Sequence, residues 1–468
     1  MTDTATQPAS APASIPKRRV AAWALWDAGS AGINAITTTF VFSRYLTSSS
    51  FQDPHVLTTQ GKDAAAALIS TQFGTAGIVV GVIVALLAPA FGQQSDASGR
   101  RKLWLGINTA AVVASLVLLF FVQAQPSFLL YGLIVFGIGT IFYEIATVNY
   151  NAMLSQVSTP KNVGRVSGIG WASGYLAGIV LLLIVYVGLV AEGSDPSVAG
   201  LLHLPTADGL NFRIVELVAA AWTLIFSIPV LISVPELPRA AQATRVGFFA
   251  AYPRLFRHIA ALWKDDRNTV IFLIASAIFR DGLTGVFTYG SIIASLTFGF
   301  SAGEVLIFGI AANVVAGIST ILSGRLDDAI GPRRVMIIAL VGLVVAGLAV
   351  FFLHGGGQIV FWVGGLFLCL FVGPAQSASR TFLTRVTPLH RQGEVFGLYA
   401  TSGRAAIFLA PLAFTTFIAL FGAQYWGVLG IVIVILIGLV ILLAFVKAPT
   451  TIRFVEAQRS PEDTFGAR

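Results

Sequence analysis

Gly92-Gln-Gln-Ser-Asp96-Ala-Ser-Gly99-Arg100-Arg101 lies between two long apolar runs, and Gly324-Arg-Leu-Asp-Asp328-Ala-Ile-Gly331-Pro-Arg333-Arg334 lies between two more. The first Gly, the Asp and the second Gly recur at one offset: 324 − 92, 328 − 96 and 331 − 99 all equal 232. A second set follows the same order. Gly164, Gly168 and Gly174 return as Gly393, Gly397 and Gly403, where 393 − 164, 397 − 168 and 403 − 174 all equal 229. Two ordered matches in corresponding places mark an internal duplication.

The solvent for this duplication is lipid. Of 468 residues 56% are hydrophobic and only 11% charged, about half the charged share of a soluble domain. Apolar segments near the ~20-residue spanning length cover 21–46, 66–91, 103–123, 127–157, 165–191, 212–234, 269–299, 302–323, 335–353, 357–385, 393–421 and 424–446. The expected fold is an all-α membrane protein with twelve transmembrane helices in two pseudo-symmetric six-helix halves, 21–234 and 269–448. Gly373-Pro374 predicts a kink in the tenth helix. Residues 1–20 read as a disordered tail, of which 1–16 lack the basic start, short apolar run and cleavage site of a signal peptide, and 449–468 read as a second tail. Between the halves, 235–268 is a linker. There Phe248, Phe249, Tyr252, Leu255, Phe256, Ile259 and Leu262 recur at helical spacing with Arg254, Arg257 and His258 interleaved, as in an amphipathic helix lying on a membrane surface.

The formal charge of +8 is a topology signal. Lys17, Arg18, Arg19, Arg100, Arg101, Lys102, Lys161, Arg165, Arg325, Arg333, Arg334, Arg385, Arg391 and the linker fall on one side of the expected membrane, against Lys62 and Arg213 on the other. Positive charge stays in the cytoplasm, so both termini are expected there, in the plasma membrane, with lipid and no nucleic acid as surroundings. Cys369 is the only cysteine, which rules out an internal disulfide.

The loop pattern Gly-x-x-x-Asp-x-x-Gly-Arg-Arg resembles the signature of the major facilitator superfamily. Trp23-Ala-Leu-Trp26-Asp27, Tyr150-Asn151-Ala152, Gly164-Arg-Val-Ser-Gly-Ile-Gly-Trp171-Ala-Ser-Gly174-Tyr175, Asp281-Gly282, Gln376-Ser-Ala-Ser379-Arg380 and Phe396-Gly397-Leu398-Tyr399-Ala400 are similar to one branch of it. That branch holds the fungal autophagy-related vacuolar amino-acid effluxers and uncharacterised bacterial members. Trp26 stands where the branch has Tyr. The resemblance implies a secondary transporter working by alternating access, with helices 1, 4, 7 and 10 lining a central cavity.

Charge inside a bilayer costs about 2.5–3.5 kcal/mol per group on insertion scales. Asp27, Glu144, Arg280, Asp281, Arg380 and Arg404 lie well inside spans, and all but Arg404 belong to helices 1, 4, 7 and 10. Polar residues line up with them at helical spacing: Asp27, Ser30, Asn34 and Thr37; Thr140, Glu144, Thr147, Asn151 and Ser155; Asp281, Thr284, Thr288, Ser291 and Ser295. The substrate-binding or coupling set is therefore Asp27, Asn34, Glu144, Asn151, Arg280, Asp281, Gln376 and Arg380. Arg380 is expected to hold a solute carboxylate. With all five histidines in loops or at segment ends, Asp281 or Glu144 is expected to carry a coupling proton, because burial raises a carboxyl pKa and a nearby Arg lowers it. The competing reading makes these charges structural ion pairs, such as Arg380 with Glu144.

For gating, Asp96 and Arg100 are expected to dock at Gly393 and Glu394, and Asp328 at Gly164 and Arg165, with Gly92, Gly99, Gly331 and Arg333 completing the two loops. The glycine series 164, 168, 170, 174 and 178 reads as close helix packing, not as a nucleotide loop. Neither a metal nor a cofactor is called for, and no catalytic constellation stands out. The function expected is transport of a small polar solute, amino-acid-like and proton-coupled, by a monomer. Its rivals are an exporter of amphiphilic drugs or lipids and a non-transporting membrane sensor.

Overall fold

Apolar runs in lipid become helices because every backbone N–H and C=O must be satisfied within the segment. The computed structural model of the chain is described over residues 15–191, 195–236, 263–264, 266–300 and 302–448; residues 1–14, the second tail and the amphipathic stretch of the linker lie outside these residues, while Lys17–Val20, read from sequence as tail, form the first turn of a helix. The first half holds α1 (Lys17–Ala31, continued by a π-helix Gly32–Phe40 and by Phe42–Leu46), α2 (Lys62–Ser98), α3 (Arg101–Leu119), α4 (Leu129–Ala152), α5 (Val163–Val185) and α6 (Leu210–Ser233). The second holds α7 (Arg267–Phe298), α8 (Ala302–Ile330), α9 (Pro332–Phe352), α10 (Gln358–Val386), α11 (Gln392–Ala406 and, after a break, Leu409–Phe421) and α12 (Trp426–Phe445). Eleven described helices are long and apolar enough to cross a membrane. The twelfth crossing is α1, whose α-helix gives way to π-helix in mid-span.

Two sequence expectations shift here. The Asp-bearing segments are not loops: α2 and α8 run on through Asp96 and Asp328 and stop only at Gly99 (φ 67°) and beside Gly331 (φ 87°). A side chain is strained at such φ, so glycine sets where each helix can turn. In α1, the π-helix adds residues per turn and rotates the outer part of the polar stripe. Asn34 stays exposed, but Thr37 turns inward and donates to Glu216 of α6 at 2.8 Å.

The halves meet through crossed pairs, α2 against α11 and α8 against α5, and glycines make the approach possible. A Cβ on Gly397 would stand 2.6 Å from Pro89 Cα, and one on Gly168 would stand 2.6 Å from the Thr320 carbonyl. Farther along the same helices, Gly74, Gly77, Gly81 and Gly309 meet nothing within 4 Å. The close approaches of the two halves gather at the end that carries the basic loops.

Candidate functional site

At the shut end two reciprocal latches close the halves. Asp96 accepts a hydrogen bond from Glu394 N at 2.9 Å. Asp328 accepts from Gly164 N at 2.7 Å and Arg165 N at 3.0 Å. Each carboxylate thus caps the first turn of a helix in the opposite half, where free N–H groups and the helix dipole favour negative charge. The cations differ from expectation. Arg100 is exposed, and Arg101 holds Asp96 instead, at 2.6 and 3.0 Å, while also donating to the Ala152 and Leu389 carbonyls. The turn at Gly99 puts Arg101, not Arg100, at the start of α3 facing back onto Asp96. Glu394 pairs with Arg391, one turn away, at 3.3 Å. In the second half Arg333 leaves the latch and donates to the carbonyls of Leu443 and Val446 at the end of α12. Arg385 of α10 replaces it, 3.1 Å from Asp327 and 3.5 Å from Asp328.

One layer deeper sits Arg380, 3% exposed. Nε donates to Ser167 Oγ at 3.0 Å, Nη1 to Asn151 Oδ1 at 3.2 Å and Nη2 to the Ser167 carbonyl at 2.6 Å. Its guanidinium carbon lies 5.1, 5.7 and 5.5 Å from the ring centres of Trp23, Tyr150 and Trp171. Asp27 faces this box, accepting from the Tyr150 hydroxyl at 3.4 Å, with Gly174 packed beside it. All three guanidinium nitrogens of Arg380 are engaged, and every acceptor comes from the other half. In this conformation it ties the halves together.

Above this layer the site opens. Glu144 of α4 pairs with Arg404 of α11, not with Arg380, and the two side chains are 22% and 21% exposed. This is the outermost of the inter-half bonds described here. Arg280 and Asp281, adjacent on α7, diverge. Asp281 is 6% exposed and accepts from Ala410 N at 2.5 Å, capping the outer segment of α11 just after its break. Arg280 heads the exposed stripe of Thr284, Thr288 and Ser291 in place of Asp281. Gln376 is half-buried on α10, between these layers.

Sequence reasoning passed over Glu216, a carboxyl with 0% exposure inside α6. Its signal was available, an acid in the second turn of an apolar helix, but the partner is Thr37, which the periodicity of a regular α1 assigns to the cavity.

A profile described as Major Facilitator Superfamily matches residues 30–411 and again 283–466. The chain belongs to the major facilitator superfamily. Among relatives, it is 25% identical over 430 residues to an uncharacterized MFS-type transporter, YxiO, of Bacillus subtilis, covering 92% of this chain and 95% of that one. It is 23% identical over 301 residues to autophagy-related protein 22 of Yarrowia lipolytica, covering 58% of this chain but only 48% of the fungal protein. The chain thus spans about half the length of that relative. Solved structures with the same fold include the proton:xylose symporter XylE (TM-score 0.70, 15% identity, 95% of this chain and 98% of that one). The Escherichia coli fucose:proton symporter FucP is another (TM-score 0.63, 12% identity, 91% and 97%). The superfamily makes this chain a multi-pass membrane transporter of small solutes, and the Asp latches, the Arg380 box and the Glu144–Arg404 pair lie where its two halves meet.

Proposed function

We propose that this superfamily member moves a small polar solute, an amino acid or a similar zwitterion, across the plasma membrane by alternating access. The basic end and both termini face the cytoplasm, the molecule works as a monomer, and transport is coupled to protons through Glu144. The observation that carries this reading is the Glu144–Arg404 pair. It joins the halves in mid-membrane, is only partly buried, and must break when the halves rock apart at the basic end. A proton on Glu144 releases Arg404, so protonation and rocking are linked. The resemblance of α1, α4, α5 and α10 motifs to amino-acid effluxers supports the solute class.

The test uses purified protein in proteoliposomes, a panel of amino acids and other polar solutes, and an imposed pH gradient. At least one amino acid should accumulate in response to the gradient. Glu144→Gln, fixed in its neutral form, should still exchange labelled solute across the membrane while losing accumulation driven by pH. If the variant keeps pH-driven accumulation at the normal rate, Glu144 does not carry the proton.

A further inference from the structure

An intramembrane cation needs a counter-charge or a complete set of acceptors. Arg380 has three acceptors and Arg404 has Glu144. Arg280 has one acceptor and, among the described residues, no carboxylate partner. Its guanidinium lies over the Tyr399 ring, 3.7 Å from the ring centre, while Nη1 donates to the Tyr399 carbonyl at 3.1 Å. Beside it is Gly403, one turn farther along α11. A Cβ there would stand 3.3 Å from Nη2, tighter than most side-chain contacts, and 3.4 Å from Nη1, at van der Waals contact, so glycine leaves room for the guanidinium.

Ring, carbonyl and glycine backbone thus seat the guanidinium against α11. That leaves Nε and Nη2 without an acceptor among the described residues, and no described carboxylate lies in ion-pair range. Asp281, next in sequence, does not serve, because its carboxylate is turned to Ala410 N. Arg280 itself is half-buried, and the exposed Thr284, Thr288 and Ser291 extend outward from it on the same face of α7. Nε and Nη2 form the side of a guanidinium that meets both oxygens of a carboxylate at once. Rigid support from behind lowers the ordering cost of binding.

We propose that Arg280 is the docking residue for a carboxylate of the transported solute, received side-on by Nε and Nη2, with Tyr399 and Gly403 as the seat that holds the guanidinium in place. This rests on the transport reading above and narrows it: the solute carries a carboxylate, and neutral sugars are not substrates.

The experiment pairs each carboxylate with its amide: L-alanine with alaninamide, L-leucine with leucinamide, lactate with lactamide. Binding to the purified full-length protein is followed by ligand-dependent thermal unfolding. One or more acids should stabilise the protein while the matching amide does not. Arg280→Gln should weaken that acid's binding roughly 10- to 100-fold, as loss of a charged hydrogen-bond partner does, and Arg280→Lys should fall between the two. Gly403→Ala, which keeps every charge and crowds only the seat, should also weaken the acid, and it serves if Arg280→Gln does not fold. Equal binding of acid and amide overturns the assignment, as does wild-type acid affinity in Arg280→Gln, or in Gly403→Ala where that variant stands in. Binding of no acid overturns it too. If the wild type then carries a neutral solute in proteoliposomes, the assignment and the zwitterion class have failed and transport of a small polar solute stands. If it carries nothing, both have failed.

Discussion

Glu216 shows how one buried carboxyl can shape a helix it does not belong to. It is fully enclosed, accepts the Thr37 hydroxyl at 2.8 Å through Oε2, and leaves Oε1 without a hydrogen-bond partner among the described residues. The same hydroxyl approaches the Gly32 carbonyl at 3.3 Å, five residues back, which is π-helical spacing. Thr37 is therefore held between its own helix and α6, and the wide turn of α1 is pinned from both sides. Glu216→Gln retains an acceptor for Thr37 and should unfold close to the wild-type temperature. Glu216→Ala removes the acceptor and leaves a void, and should cost about 1–3 kcal/mol. Thermal unfolding in detergent measures both, and an Ala variant as stable as the wild type would show that the pin does not hold the π-turn. The three arginines follow the same logic of partners. Arg380 is bonded through all three of its nitrogens to the opposite half, Arg404 is matched by a carboxylate, and Arg280 is supported but has no carboxylate partner among the described residues.

Among the elements, α2 and α11 decide whether the basic end can shut. They approach so closely that Gly92 and Gly393 face each other, a Cβ on Gly393 falling 2.6 Å from the Gly92 carbonyl, and Gly397 meets the backbone of Ala88 and Pro89. Pro89 lacks an N–H for the helix ladder, and its neighbours still pack because no side chain on α11 intervenes. A large residue at position 397 is a wedge at this crossing. Gly397→Leu should hold the basic end apart and abolish transport while leaving each half folded. The chain's single cysteine, Cys369, is buried, so a Ser155→Cys reporter gives a clean reading. Ser155 is 5% exposed in the shut state, and its labelling by a membrane-impermeant thiol reagent from the basic side should rise several-fold in the wedge variant. Unchanged labelling would mean the crossing does not control closure.

For the molecule as a whole, the latches, the Arg380 box and the Glu144–Arg404 pair form successive layers that bridge the same two bodies. Rocking the halves apart at the basic end must break all of them together. Ser167 and Ser377 lie within this stack, Oγ to Oγ 3.0 Å apart, and both are buried. Side-chain oxygens that close mark a site where two cysteines can reach disulfide geometry. The double variant Ser167→Cys/Ser377→Cys should cross-link under mild oxidant, stop transport, and recover on reduction. Normal transport by the cross-linked protein would show that these layers do not separate during the cycle.

Composition, the spacing of apolar runs and the two Gly-Asp-Gly repeats were enough to read the twelve crossings, the duplication and the superfamily likeness, because lipid leaves a chain so apolar few alternatives to helices. The docking of Asp96 and Asp328 on opposite-half helix starts was also legible, since the repeat places matching glycines at both ends of each contact. Direction around a helix was not. Whether Arg280 or Asp281 faces the opening depends on the break in α11, whose free N–H at Ala410 draws Asp281 away. Thr37 leaves the cavity stripe because α1 is π-helical there, which regular periodicity does not foresee. Nor was the role of Arg380 as a tie between the halves legible. Its partners Asn151 and Ser167 lie 229 and 213 residues away, and only the packing of one half on the other brings them within hydrogen-bond reach.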